Sequence, residues 1–125
     1  MTLPLTPHVL AAAYEYLRAT TPFKSWKLPP ADEVEFGVTQ HRDRDGDHSS
    51  YQRTNEHIIR ASTYWVKTTD ALMQVMAHEM IHVRQQITKS ARHGGHNMEF
   101  QRLAKRVCKV HGWHPHLFTY EHAPA

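Results

Sequence analysis

The sequence holds one cysteine, Cys108, so no disulfide framework, paired-cysteine redox centre or cysteine-based zinc ribbon is available to it. No apolar run approaches the roughly 20 residues that span a bilayer. The first 16 residues lack a basic leader, and the short run Val9 to Ala13 is broken by Tyr14 and Glu15, which argues against a signal peptide. Neither charge sign dominates: 15 Lys and Arg stand against 12 Asp and Glu. About 40% of residues are apolar, too many for general disorder, and 125 residues suit one domain better than two. This composition points to a soluble intracellular domain with no membrane partner. What the chain has in excess is histidine, with 12.

Periodicity divides the chain. Thr6 followed by Pro7 is a helix start, and Leu10, Ala13, Tyr14 and Leu17 recur at helical spacing, predicting a helix over about 7–20. Residues 22–33 carry Phe23, Trp26 and Leu28 among prolines and read as an extended segment with aromatic anchors. Val34, Phe36 and Val38 then alternate as a strand does. Asp45-Gly46 is a hairpin-turn dipeptide, placing a second strand at about 49–53 and a third at His57 to Tyr64. Thr68-Thr69-Asp70 opens a helix over about 69–88, whose core stripe is Leu72, Met76, Met80, Val83 and Ile87. A last helix over about 96–111 faces inward with Phe100, Leu103, Ala104, Val107 and Val110, and Gly112 stops it. The expected fold class is α+β, with a small, mainly antiparallel three-stranded sheet. The aromatic tail Trp113 to Tyr120 is expected to pack back on the domain, and Cys108 to be a buried small hydrophobe.

The chemistry sits in His78-Glu79-Met80-Ile81-His82, an H-E-x-x-H match inside the strongest helix. Four residues advance a helix by about 400°, so both imidazoles share a face and can bind one Zn²⁺. Glu79 lies about 100° round from His78, where it can reach water on the metal without ligating it. In so histidine-rich a chain the motif alone is weak, but its histidine face is expected to lie away from the Leu72/Met76/Val83 stripe. Two ligands leave a catalytic zinc short of the usual three. His93, His96 and Glu99 are the candidates for the third. His96 is preferred, because packing of Phe100, Leu103 and Val107 fixes the direction of the helix that it opens.

The run Met76 to His82 followed by Gly95-His96-Asn97-Met98-Glu99-Phe100 resembles the SprT-like zinc metallopeptidases, whose pattern is H-E-x-x-H and then H-G-x-x-F or W at the start of a second helix. Asn97 departs from the usual glycine. Trp26-Lys27-Leu28-Pro29 and Gly112 to Phe118 are similar to small phage-encoded members of that family. The resemblance implies a single zincin-like domain over 1–125, with residues 1–6 and 121–125 loosely held. It implies one Zn²⁺ on His78, His82 and His96, Glu79 as catalytic base, and a protein or peptide substrate. Cellular members usually add a zinc ribbon or another DNA- or ubiquitin-binding tail, and one cysteine rules out the ribbon here.

The substrate is expected to add a strand to the sheet edge, for which the third strand is the candidate. Tyr51, Tyr64 and His93 are candidate oxyanion donors. Arg84, Lys89 and Arg92 are candidate nucleic-acid contacts, part of a basic stretch to Lys109 in which Glu99 is the one acid, although a solvated helix face is the preferred explanation of that stretch. The Asp43/Asp45/Asp47 run has its glycine misplaced for a calcium loop and reads as a turn. His111, His114 and His116 read as a polar tail rather than a second metal site. A non-catalytic DNA- or protein-binding module, in which zinc only pins two helices, is the alternative reading of the same residues.

Overall fold

In the computed structural model the described residues are 3–51, 54–90, 95–115 and 118. The order is α1 (Pro7–Arg18), two 3₁₀ turns (Phe23–Ser25 and Ala31–Glu33), β1 (Val34–Thr39), β2 (Gly46–Tyr51), β3 (Glu56–Ser62), α2 (Thr69–Thr88) and α3 (Met98–His111). The expectations for His93, Arg92, His116 and residues 121–125 fall outside the described residues.

Each helix begins on a side-chain cap. Thr6 accepts a hydrogen bond from the Val9 amide, Thr68 from Ala71 and Asn97 from Phe100, each satisfying one of the orphan donors of the first turn. Lys89 in the left-handed region ends α2, and Gly112, also left-handed, ends α3. The face of α1 that carries Leu10, Ala13, Tyr14 and Leu17 is buried, as its spacing predicts. Ahead of it, the Leu3 amide donates to the Lys67 carbonyl, and Leu3 and Leu5 pack on the core.

Residues 22–33 are not extended: they form the two 3₁₀ turns. Pro22 and Pro30 precede those turns, at positions where a missing amide proton loses no helical bond. Phe23, Trp26 and Leu28 are buried, as anchors should be.

The sheet is mixed rather than mainly antiparallel, with the order β1-β3-β2. β3 pairs parallel with β1 (Phe36 opposite Ile59) and antiparallel with β2 (His48 opposite Ile59). Asp45-Gly46 therefore does not turn a β1–β2 hairpin. The chain from β1 crosses the end of β3, held there by bonds from the Ser62 amide to the Asp45 carbonyl, the Ser62 hydroxyl to the His41 carbonyl and the Trp65 indole to the Arg42 carbonyl. The reason lies in β3, where His57, Ile58, Ile59, Ala61 and Ser62 are all buried. A strand covered on both faces belongs in the middle of a sheet. This overturns the choice of the third strand as the substrate edge: the edges are β1 and β2. β2 also starts three residues earlier than the sequence suggested.

The helix α2 is enclosed by the sheet, α1 and α3, and is buried almost all round. Its histidine face is consequently not a free face away from the core, as the single apolar stripe suggested; His78 and Glu79 are only 3% and 1% exposed. At the helix ends the expected stripes run past the core, leaving Ile87 and Val110 exposed. Cys108 is buried, and of the expected aromatic tail Trp113 stacks on the buried Phe118, both packed on the core; residues 116, 117, 119 and 120 lie outside the described residues.

Candidate metal centre

His78 and His82 come from successive turns of α2, and His96 from the residue before the α3 cap. The ring atom Nε2 of His96 lies 3.2 Å from Nε2 of His78 and 3.2 Å from Nε2 of His82. One ligand atom from each residue falls within 4.8 Å of the others. Tetrahedral zinc with bonds of about 2.0–2.1 Å would hold its nitrogens about 3.3–3.4 Å apart, so the spacing fits one ion.

The protonation pattern fits as well. Nδ1 of His78 lies 2.9 Å from the Phe118 carbonyl oxygen, which can only accept, so His78 carries its proton on Nδ1. Nδ1 of His82 lies 3.0 Å from Oε1 of Gln85. In both rings the outer nitrogen is engaged and the Nε2 lone pair is turned inward, the arrangement of a metal-ligating imidazole with an outer hydrogen bond.

Phe100 supplies the floor. Its ring centroid is 4.9, 4.8 and 4.6 Å from those of His78, His82 and His96, and the side chain is fully buried. Gly95 lets the chain approach closely: a Cβ there would lie 3.1 Å from Cε1 of His82. His78 is buried, His82 half-buried and His96 exposed, which leaves the cluster open on one side. An open cleft of about 350 Å³ meets the cluster at His82 and is lined also by Glu79, by Asp47, His48 and Ser50 of β2, and by Gln85, Gln86 and Gly95.

His48 on β2 was not singled out from the sequence. Its Nε2 lies 3.0 Å from Nδ1 of His57, and its ring stacks beside His82. Burial, with His57 and His82 adding to it, lowers its pKa to about 3; burial also lowers that of His57. Alternation along β2 places His48 and Ser50 on one face, the one signal that could have found it.

Other expected residues lie elsewhere. Glu99 is not in the cluster: it pairs with Arg102 at 2.7 Å, and that guanidinium holds its carboxyl below the usual range. Arg84 donates to the Trp26 carbonyl at 2.6 Å, a structural tie between α2 and the aromatic segment. Lys89 is exposed at the end of α2. Tyr64 packs on Trp65 beneath Arg42, and Tyr51 is exposed at the end of β2. His111 lies 3.0 Å from the Thr21 carbonyl. Among the described residues no helix is long and apolar enough to cross a membrane.

Among curated proteins, none matches the chain. The family model of the SprT-like family matches residues 14–121, from the first helix through the histidine cluster and past the α3 cap. Most of the sequence is covered, and the chain belongs to the SprT-like family.

Proposed function

We propose that the protein is a zinc-dependent peptidase in which His78, His82 and His96 hold one Zn²⁺ and Glu79 is the general base. The observation that carries this reading is the convergence of three imidazoles within reach of one ion, with His82 of that set and the buried Glu79 lining one open cleft. When bound, zinc supplies Lewis acidity, bringing the pKa of a water to about 7 and polarising the scissile carbonyl. Glu79 follows His78 by one residue, so its carboxylate stands beside the ligand set rather than in it. It accepts the proton of the attacking water and passes it to the leaving amine. A positioned base of this kind contributes about 10²–10⁴-fold.

The peptide lies along β2. This edge strand contributes Asp47, His48 and Ser50 to the cleft that Glu79 and His82 share. An extended substrate pairing with it carries its own amides past the histidines. Proteins bound to DNA are the favoured targets: Lys89, Lys105, Arg106 and Lys109 are exposed cations on α3 and the end of α2 that suit a polyanion. Arg84, held by Trp26, contributes to the fold instead.

The test is Glu79→Gln. It should keep zinc and melting temperature while lowering cleavage of an unfolded protein substrate by about 100-fold or more, with or without DNA. Unchanged cleavage would refute the role of Glu79. A wild-type protein that binds zinc and cleaves nothing would favour the non-catalytic module.

A further inference from the structure

Two amides link His82 to the start of α3, and their donor–acceptor order is forced. Asn97 Oδ1 accepts the Phe100 amide proton at 3.0 Å, and a backbone N–H can only donate. Asn97 Nδ2 faces the Ser90 carbonyl at 2.8 Å, and a carbonyl can only accept, so the orientation of Asn97 is fixed from both ends. Gln85, 1% exposed, meets that same Asn97 oxygen at 3.1 Å. The Gln85 atom there must therefore be its Nε2 donor. Its Oε1 is thereby turned to Nδ1 of His82, 3.0 Å away. His82 must then carry its proton on Nδ1 and present the Nε2 lone pair to His78 and His96.

We infer that Gln85 and Asn97 are positioning residues that set the tautomer and ring orientation of His82 for a metal ion. The inference rests on the metal reading above and adds to it a dependence on α3. Asn97 here does more than cap. A serine at this position would cap the helix comparably but is too short to reach Gln85. Glycine, usual at this position of the family pattern, offers no side chain to orient it. The backbone of the α3 cap thus dictates, through two side chains, which nitrogen of a ligand in α2 is free.

The test uses the full chain and three variants. Gln85→Leu removes the acceptor. Asn97→Ser keeps the cap and removes the contact to Gln85. Asn97→Asp keeps an acceptor for the Phe100 amide and for Gln85, while its second carboxylate oxygen replaces the donor to the Ser90 carbonyl and adds a charge. One measurement is the zinc dissociation constant, by competition with a chromophoric chelator. The other is the ring ¹⁵N shifts of His82 in metal-free protein, at a pH about two units above the ordinary imidazole value.

Wild type and Asn97→Asp should both show the proton on Nδ1. Gln85→Leu and Asn97→Ser should show mixed tautomers and bind about 10–100-fold more weakly. Circular dichroism and metal-free melting check that each variant folds. Should Gln85→Leu fail to fold, Asn97→Ser decides, since a merely structural role predicts unchanged affinity for so good a cap. A wild-type His82 protonated on Nε2, or wild-type zinc affinity in Asn97→Ser, would overturn the inference. If the wild type bound no zinc, the metal reading would fall, while the tautomer measurement would still decide the relay.

Discussion

Replacing Gly46 with alanine should destabilise the protein by about 1–3 kcal/mol, the cost of forcing a methyl into a filled space. Gly46 begins β2 where that strand crosses α2. A Cβ there would lie 2.6 Å from Cγ1 of Val75, 3.1 Å from the Arg60 carbonyl oxygen and 3.3 Å from Oε2 of Glu79. The first distance is about 1 Å inside an ordinary carbon–carbon contact. The second is to the backbone of the central strand, which has no rotamer to change. Gly46 has no positive φ, so the penalty is steric alone. Removing the two methyls of buried Val75 as Val75→Ala should itself cost about 1.5–3 kcal/mol. It also removes the worst of the clash, so the double variant should cost about 0.5–2 kcal/mol less than the sum. Urea unfolding of the four proteins measures this cycle. A Gly46→Ala protein as stable as wild type, or strictly additive effects, would show that β2 does not approach α2 as described.

Gly95→Ala should push the His82 ring by a few tenths of an ångström, since its Cβ would sit 3.1 Å from Cε1 and 3.4 Å from Nδ1. Zinc affinity, read by titration calorimetry, should fall several-fold while metal-free melting barely changes. Acid should destabilise the metal-free protein through His48 and His57, whose folded-state pKa values are lowered by burial. The unfolded chain takes up these protons below about pH 6.5 and the folded chain does not. Their contribution is thus constant at higher pH, and stability falls as pH drops from there, until His48 itself titrates near 3. In melting scans across that range His48→Gln should show a shallower loss than wild type; an equally steep loss would refute the assignment to His48.

What the sequence made legible was what lies close along the chain. The bounds of α2 are set by Thr68 and by the absence of a breaker before Lys89, both local, and the expected and observed spans coincide. His78 and His82 are one turn apart in any helix, so their shared face needed no tertiary information. The position of His96 followed from the packing side of α3. Strand pairing is a choice between segments distant in sequence, and there local reading gave the wrong neighbours. The polar run Gly-Asp-His-Ser-Ser-Tyr of β2 has no apolar alternation to mark its start. The adjacent Ile58 and Ile59 of β3 did carry a signal of a doubly covered strand, obscured by the turn-like dipeptide Asp45-Gly46, whose glycine opens β2. Gln85 stands at i+3 from His82, a spacing that makes them helical neighbours and could have found it, whereas the Phe118 carbonyl, 40 residues from His78, and the approach of Gly95 to His82 come only from the fold.

The most direct test of the account is the zinc content of the chain. Equilibrium dialysis followed by elemental analysis should give one zinc per wild-type chain, and greatly reduced content for His78→Ala, His82→Ala and His96→Ala alike. Full zinc occupancy in His96→Ala at wild-type affinity would contradict the claim that α2 and α3 share one ion.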